Sequence, residues 1–276
     1  MQRLNTNPFG LSASTYDPVA MGRMRADTYN RTPGDMTEYN CTKCLNKGAV
    51  ARVREDGSLV FRDCECKSAR SSVRKMENSG LRNSIRELTF DNYIANAPWQ
   101  KHLKTGAQRF AKNGNGWFLI GGQPGTGKTH LCTAICRQRL LDGLAVQYLS
   151  WRDTIALLKS LALEPDRRQQ TITSFKTAPV LYIDDLFKTG RNTDDIGRPT
   201  SADISIAFEI LNYRYINRLQ TVISTELSPE ELLDIDEAIG SRIIEMAGEN
   251  LYSINTDPQK NYRLRSMNKG ESMLHT

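Results

Sequence analysis

The feature that most constrains this chain is a glycine-rich run near the middle of the sequence. Residues 122–129 read GQPGTGKT and match the phosphate-binding loop pattern G-x-x-x-x-G-K-[ST] in full. The apolar run 117–120 before it predicts a short buried strand, and the run 131–141 after it predicts a helix. A strand, a glycine-rich turn and a helix in this order favour a loop whose N–H groups surround phosphate oxygens at the positive end of the helix dipole.

Two side chains of this loop have predicted chemical tasks. Lys128 supplies a positive charge for the β- and γ-phosphates, and Thr129 supplies a hydroxyl for Mg²⁺. A glycine-rich turn with a purely structural lysine is the alternative, which the agreement between pattern and context disfavours. The predicted nucleotide-binding residues are Gly122, Gln123, Pro124, Gly125, Thr126, Gly127, Lys128, Thr129 and His130.

A pair of acidic residues follows a second strand-like run. Residues 180–183 read VLYI and are followed by Asp184 and Asp185, an arrangement that resembles a Walker B element. Asp184 is predicted to hold Mg²⁺ through its water shell together with Thr129, and Asp185 to orient or polarise the attacking water. A simple Asp-Asp turn after a strand is the alternative. The strand-like run at 145–149, between this pair and the phosphate loop, favours the catalytic interpretation.

The composition is compatible with a nucleotide-binding domain and a smaller module beside it. The chain has 276 residues, of which 39% are hydrophobic and 25% charged, and its formal net charge of +6 is compatible with a nucleic acid partner. No apolar run is long enough for a membrane span, and the N-terminus lacks an apolar signal core. We therefore expect a cytoplasmic protein with reduced thiols and no membrane partner.

Four of the six cysteines form two close pairs. A C-x-x-C pair precedes a C-x-C pair, and the strand-like runs 49–54 and 58–62 between them predict a hairpin that brings the pairs together. Four thiolates would then form a closed structural Zn²⁺ site, with a redox dithiol or unrelated surface thiols as alternatives. The predicted zinc ligands are Cys41, Cys44, Cys64 and Cys66.

These features predict three parts. Residues 1–40 have no sustained periodicity and are expected to be mostly flexible, with a short partner-binding helix among them as the alternative. Residues 41–84 are expected to form the zinc-binding hairpin and a basic linker, and 85–276 the ATPase domain. In the last part, helices are predicted at 99–112, 131–141, 151–163, 171–177 and 201–217, and strands at 117–120, 145–149, 180–183 and 221–225. This order predicts an α/β fold with a parallel, doubly wound sheet and a ligand at the carboxyl ends of its strands.

Several motifs taken together resemble a known family. They are GGQPGTGKTHLCT at 121–133, VLYIDDLF at 180–187, ILNYRY at 210–215, and TVIST at 221–225 followed by LSPEEL. They are similar to the AAA+ ATPases of the DnaC/DnaI type, which load replicative helicases in bacteria and phages. The resemblance covers residues 85–268 and implies an AAA+ P-loop NTPase. The cysteine hairpin resembles the zinc module of several phage and Gram-positive members.

The resemblance assigns further residues by position. Thr225 falls where a sensor residue contacts the γ-phosphate or the attacking water, and Arg263 is a candidate second sensor at the nucleotide. Arg242 would be an arginine finger that reaches the γ-phosphate of the next subunit, with a surface arginine in a salt bridge as the alternative. The family's contacts to single-stranded DNA map to residues 151–177, where the candidate cations are Lys159, Arg167, Arg168 and Lys176.

The function implied by the resemblance is ATP-dependent loading of a hexameric replicative DNA helicase onto single-stranded DNA. ATP and Mg²⁺ would bind between subunits that self-associate through the ATPase domain, and hydrolysis would be slow and dependent on assembly. An IstB-type transposition helper and a nucleotide-gated regulator or inhibitor of a helicase or loader are the alternatives. The regulator remains an alternative because this chain has Asp185 where many relatives carry Glu, and Glu226 where many carry Asn. A P-loop kinase is disfavoured, since no lid-like arginine cluster is recognisable.

Overall fold

The structure, a computed structural model, describes residues 17–36, 40–76, 84–188 and 198–264. The chain divides into two compact units, with the boundary between Lys67 and Ser68. Part of the segment expected to be flexible lies outside the described residues, but Pro18–Arg31 form a helix, α1. Asp17 caps this helix by accepting hydrogen bonds from two N–H groups of its first turn, and proline occupies its first position.

The predicted hairpin is present in the first unit and packs against α1. Strands β1 (Ala49–Val53) and β2 (Leu59–Asp63) are antiparallel. The Asn30 side chain bonds both the N–H and the carbonyl of Ala51, which fixes the helix on the hairpin. A Cβ atom at Gly22 would lie 2.4 Å from the carbonyl oxygen of Gly57, so this close approach requires glycine.

The second unit contains the predicted parallel sheet. Its strands are β3 (Trp117–Gly122), β4 (Val146–Ser150), β5 (Val180–Leu186), β6 (Gln220–Thr225) and β7 (Leu251–Ile254). Their spatial order is β4-β5-β6-β3-β7, and every recorded pairing is parallel. The edge strand β7 was not predicted from the sequence.

Helices surround this sheet. Helix α2 spans Cys66–Met76, at the boundary of the two units, so the predicted basic linker is helical over its described part. The others are α3 (Ser84–Glu87), α4 (Pro98–Asn113), α5 (Lys128–Leu141), α6 (Trp151–Ser160), α7 (Pro165–Thr177), α8 (Ser201–Ile216), α9 (Pro229–Ile235) and α10 (Glu237–Ala247). Within the described residues, no helix combines the length and apolar character that a membrane span requires.

Alternating side chains of the central strands bury both faces of the sheet. Phe118 and Ile120 pack on one face with residues of α4 and α5, whereas Trp117 and Leu119 pack on the other with residues of α6, α7, α8 and α10. Because both faces are covered, the strands appear in the sequence as continuous apolar runs. The carboxyl ends of β3, β5 and β6 meet at one edge, where the predicted catalytic residues Lys128, Asp184 and Asp185 lie.

One helix is longer than predicted. A helix was predicted at 171–177, but α7 already begins at Pro165. Proline is favoured at the first helical position, and Glu164 forms an ion pair with Arg167 of the first turn, at 2.7 Å. The helix faces solvent at this end, so no apolar periodicity marks its start in the sequence.

Candidate nucleotide-binding site

The phosphate-loop run lies between β3 and α5, as predicted. Gly122, Gly125 and Gly127 have φ angles of 115°, 79° and 89°. A Cβ atom at Gly122 would lie 2.1 Å from the carbonyl oxygen of Ile254 on β7, so the turn requires glycine there. Lys128 begins α5, and its Nζ donates hydrogen bonds to the carbonyl oxygens of Gly122 (2.6 Å) and Gln123 (2.8 Å).

A cavity of about 550 Å³ opens beside this loop. That volume is within the range of nucleotide-sized ligand sites. Gln123 was predicted to bind nucleotide but does not line the cavity. Its side chain bonds both backbone groups of Asp257, which ties the loop to the segment after β7. The predicted residues that line the cavity are Pro124, Gly125, Thr126, Gly127, Lys128, Thr129, His130, Asp184, Asp185 and Arg263.

Asp184 is held by a set of hydroxyl groups. Its Oδ1 atom accepts hydrogen bonds from Thr129 (3.2 Å), Tyr182 (2.7 Å) and Ser224 (2.5 Å), and its Oδ2 atom accepts one from Tyr148 (3.0 Å). The contact with Thr129 joins the phosphate loop to the end of β5. A hydroxyl and a carboxylate are oxygen ligands of the kind that Mg²⁺ prefers, and the residues present therefore fit the predicted ion.

Asp185 lies in a strained part of the backbone. Its φ angle is 56°, in the left-handed region that residues other than glycine seldom adopt. The N–H group of Asp185 donates a 3.0 Å hydrogen bond to Ser224 Oγ, and its carboxylate pairs with Lys188 at 2.8 Å. Lys188 also pairs with Glu226 at 2.7 Å. Lys188 has no motif that marks it in the sequence, so it was not predicted as a site residue.

The candidate sensor Thr225 does not line the cavity. Its buried hydroxyl donates to the carbonyl of Leu186 (2.9 Å) and accepts from the N–H of Leu227 (3.2 Å). Ser224, the preceding residue, instead contacts both acidic residues of β5. The side chains of a strand alternate between its two faces, so only one of these adjacent hydroxyls can point toward the carboxylates.

The candidate finger Arg242 also lies outside the residues that line the cavity. It is on α10, where its guanidinium is 5.4 Å from the ring centroids of both Phe208 and Tyr215 and donates to the carbonyl of Ala238. Among the described residues, no carboxylate forms a recorded ion pair with Arg242. This placement is compatible with action on a neighbouring subunit, which stays a prediction.

The cavity is also lined by aromatic and amide groups. His130 Nε2 is 2.8 Å from the carbonyl oxygen of Thr89, and the His130 ring packs edge-on against Tyr93 at 5.1 Å. Burial lowers the pKa of His130, which favours its neutral form. The cavity-lining residues Tyr93 and Gln100 were missed in the sequence, since they precede the loop without any motif.

Comparison with known proteins identifies the family. Residues 54–245 match the family model described as "IstB-like ATP binding protein". This chain belongs to that family. This chain is 29% identical over 251 residues to the phage-like element PBSX protein XkdC of Bacillus subtilis (strain 168), covering 86% of this chain and 91% of the relative.

Two further comparisons show similarity to helicase loaders. This chain is 26% identical over 203 residues to the replicative helicase loader DnaC of Escherichia coli (strain K12), covering 71% of this chain and 78% of that protein. A crystal structure of the DnaC helicase loader superposes with a TM-score of 0.52 at 22% identity, covering 63% of this chain and 99% of that chain. The parallel sheet and this likeness confirm the predicted AAA+ α/β fold and the resemblance to DnaC-type ATPases.

A separate cluster of four thiols lies in the first unit of the chain. The sulfur atoms are all within 4.8 Å of one another, with Cys41–Cys64 at 3.7 Å and Cys44–Cys66 at 3.6 Å. All four cysteines are buried. Burial acts to raise the pKa of the Cys44 thiol, but the N–H of Gly48 and the neighbouring thiols outweigh it and lower that pKa. The distances between the sulfur atoms show that the two cysteine pairs lie together, as predicted.

The candidate DNA-binding cations are mostly paired with carboxylates. Lys159 lies 2.8 Å from Asp203, and Lys176 lies 3.1 Å from Glu209. Arg167 forms the ion pair with Glu164 within α7. Arg168, also on α7, is half-buried. A role in binding single-stranded DNA stays a prediction for all four.

Proposed function

We propose that this protein is an ATPase that loads a hexameric replicative DNA helicase onto single-stranded DNA. The observation that carries the proposal is the contact between Thr129 and Asp184 beside the phosphate loop, in a chain that aligns over 71% of its length with a replicative helicase loader. The contact places a carboxylate beside the hydroxyl of the phosphate loop, and together these groups would hold the Mg²⁺ that accompanies ATP. The relative supplies the biological process in which such a site is used.

The chain's own residues account for nucleotide binding. The loop N–H groups and Lys128 would bind the β- and γ-phosphates, while Thr129 and Asp184 would hold Mg²⁺. When bound, the ion neutralises charge that develops on the transferred phosphoryl group. Asp185 would orient the attacking water, and its fixed backbone position supports this role. Arg263 lines the same cavity and would contact the nucleotide.

Hydrolysis is proposed to depend on self-association through the ATPase domain. Arg242 is outside the cavity of its own subunit and would approach the γ-phosphate of a neighbour. Its stacking against Phe208 and Tyr215 gives the guanidinium a defined position on the surface of α8 and α10. A slow ATPase in the isolated chain and a faster one in the assembly are the expected consequences.

The thiol cluster is proposed to bind Zn²⁺ as a structural ion. Tetrahedral Zn²⁺ with Zn–S distances of about 2.3 Å requires sulfur atoms about 3.8 Å apart. The distances of 3.7 Å and 3.6 Å between the cysteine pairs are close to that requirement. Four thiolates leave no open coordination position, so the ion would stabilise the hairpin and take no part in catalysis.

A reconstituted loading assay tests the proposed function. The full chain and the host's replicative helicase are mixed with ATP or ADP on circular single-stranded DNA, and the helicase retained on the DNA is measured. We expect retention to increase with ATP and to be lost with Lys128→Ala. Reduced retention in the presence of the chain would instead show a regulator or inhibitor of the helicase.

The transposition helper remains a second candidate, because the matching family model carries the name IstB-like. A transposition helper would bind double-stranded DNA and a transposase, whereas a loader would bind single-stranded DNA and a helicase. Binding of the ATP-loaded chain to double-stranded DNA together with a transposase, and no complex with the helicase, would establish this alternative. Binding to both forms of DNA without a helicase complex would also contradict the loader.

A further inference from the structure

One lysine and two carboxylates meet beside the phosphate loop in the cavity. Lys188 Nζ lies 2.8 Å from Asp185 Oδ2 and 2.7 Å from Glu226 Oε1. The exposed fractions of these side chains are 37%, 32% and 34%, and all three line the cavity together with Lys128. Both carboxylates therefore share one lysine at the place where the loop lysine marks the β- and γ-phosphate positions.

The backbone after β5 directs Lys188 toward this position. Asp185 and Phe187 have φ angles of 56° and 62°, and the Lys188 N–H donates a 2.9 Å hydrogen bond to the Asp185 carbonyl. The chain thus reverses at the end of the strand. The Phe187 side chain is buried against Trp151, with 5.3 Å between the ring centroids, which anchors the reversal beside the lysine. Two non-glycine residues in the left-handed region indicate a position fixed by its surroundings.

Among the residues that the structure describes, Lys188 is the one cation that forms an ion pair with Asp185 or Glu226. The other cations that line the cavity, Lys128, Lys260 and Arg263, form no recorded ion pair with these two carboxylates. Removal of Lys188 would therefore leave both carboxylates without a paired cation beside the phosphate position. Repulsion from these carboxylates increases with the charge and the proximity of the ligand's terminal phosphate. ATP carries one more phosphate than ADP toward this end of the cavity, so the loss should affect ATP more strongly.

We propose that Lys188 makes this cavity selective for a nucleoside triphosphate over a nucleoside diphosphate. Lys188 does so by neutralising and positioning Asp185 and Glu226. This selectivity rests on the nucleotide site proposed above. The same arrangement explains how the cavity tolerates Glu226, an acidic residue near the phosphates. Lys188 is therefore a positioning residue, distinct from the loop lysine that contacts phosphate directly.

The test compares the affinities for ATP and ADP in the full-length chain with Mg²⁺ present. For Lys188→Met, we expect the Kd for ATP to increase by about fivefold or more, because a partly exposed cluster of charges is being unbalanced. The Kd for ADP should change by less than about twofold. Arg109→Met removes one positive charge from a distant ion pair with Glu249 and controls for the change in net charge. It should leave both affinities unchanged.

Second-site variants separate selectivity from folding. Glu226→Gln added to Lys188→Met should restore most of the ATP-to-ADP preference, and Lys188→Arg should retain it. Equal weakening of ATP and ADP by Lys188→Met, without rescue by Glu226→Gln, would overturn the proposal, as would unchanged affinities for both. If the unaltered chain binds neither nucleotide, the proposed nucleotide site itself is wrong and this inference with it.

Discussion

The Tyr148 hydroxyl donates a 3.0 Å hydrogen bond to Asp184 Oδ2 across two neighbouring parallel strands. The hydroxyls of Thr129, Tyr182 and Ser224 all bond Oδ1, so within the described part of the chain Tyr148 alone bonds the second carboxylate oxygen. Burial, and after it the charge of Asp184, raises the pKa of Tyr148. The phenol therefore remains protonated and able to donate across the neutral pH range, and the protein itself fixes the orientation of this carboxylate.

Tyr148→Phe should weaken the use of Mg²⁺ while leaving the fold intact. The variant keeps the ring but removes the hydrogen bond, and residues that orient a metal ligand affect metal affinity by about tenfold or more. We expect the Mg²⁺ concentration that half-saturates ATP binding to increase by about that factor. The free energy of unfolding should fall by about 1 kcal/mol. Titration of Mg²⁺ at a fixed concentration of fluorescent ATP analogue measures the first effect, and urea denaturation the second.

Tyr215→Phe is the matched control for this experiment. It removes a tyrosine hydroxyl that bonds Glu245 on the surface, away from the cavity. Its Mg²⁺ requirement should equal that of the unaltered chain. An unchanged requirement in Tyr148→Phe would show that the other hydroxyls position Asp184 without it.

The parts of the site that belong to a continuous motif were predicted from the sequence. The parts that depend on strand pairing or on the backbone reversal after β5 were missed. The phosphate loop and Asp184 are contiguous with their own strands, so their positions follow from the motif alone. Tyr148 pairs directly with Tyr182 in the β4–β5 register, which brings both hydroxyls to Asp184. Lys188 reaches Asp185 and Glu226 only through the backbone reversal after β5. Neither relationship has a signal in a single sequence, because each depends on contacts between separate segments.

Two of the elements that were missed, α1 and β7, have few or no sequence signals of their kind. The buried residues of α1 are Gly22 and Ala26, which are too small to produce apolar periodicity, so the segment was predicted to be flexible. Strand β7 has four residues and lies at the sheet edge. Short strands of this kind cannot be distinguished from loops by alternation alone. The hairpin of the first unit was predicted because its turn and two apolar runs are adjacent in sequence.

Cys44→Ser should remove the zinc that we propose for the thiol cluster. Serine is a poor ligand for Zn²⁺, and the remaining three thiolates leave an incomplete tetrahedral site. We expect about one zinc per chain in the unaltered protein and much less than one in the variant, measured by elemental analysis after purification with a reducing agent. Cys136→Ala, which alters a buried cysteine of α5, should keep its zinc. Absence of zinc from the unaltered protein would contradict the site.

Asp203 should give α8 a pH-dependent contribution to stability. Its Oδ2 accepts from the Thr200 N–H at the start of the helix, and Lys159 pairs with its other oxygen at 2.8 Å. Burial acts to raise the pKa of Asp203, but the bonds with Lys159 and Thr200 outweigh it and lower the pKa. The stabilisation is thus present above the unfolded-state pKa of about 3.9 and is lost as the pH falls through the lower folded-state value.

Asp203→Asn measures this contribution. At pH 7 we expect the free energy of unfolding to decrease by about 1–2 kcal/mol, a range that allows for solvent screening at the half-exposed Lys159. The difference from the unaltered chain should narrow below about pH 4. Lys159→Met removes the ion pair and retains the helix cap, so its effect should be smaller. A difference that stays constant with pH would contradict the assigned charge interaction.

A mixing experiment tests whether Arg242 acts on a neighbouring subunit. Lys128→Ala should lose tight ATP binding but keep Arg242, whereas Arg242→Ala keeps the phosphate loop and should bind ATP normally. Each variant alone should hydrolyse ATP at least about 100-fold more slowly than the unaltered assembly. In an equal mixture, about one interface in four joins an intact loop to an intact arginine, so about a quarter of the activity should return. A mixture as inactive as its separate components would place the function of Arg242 within its own subunit, because mixed assembly could not then complete a site.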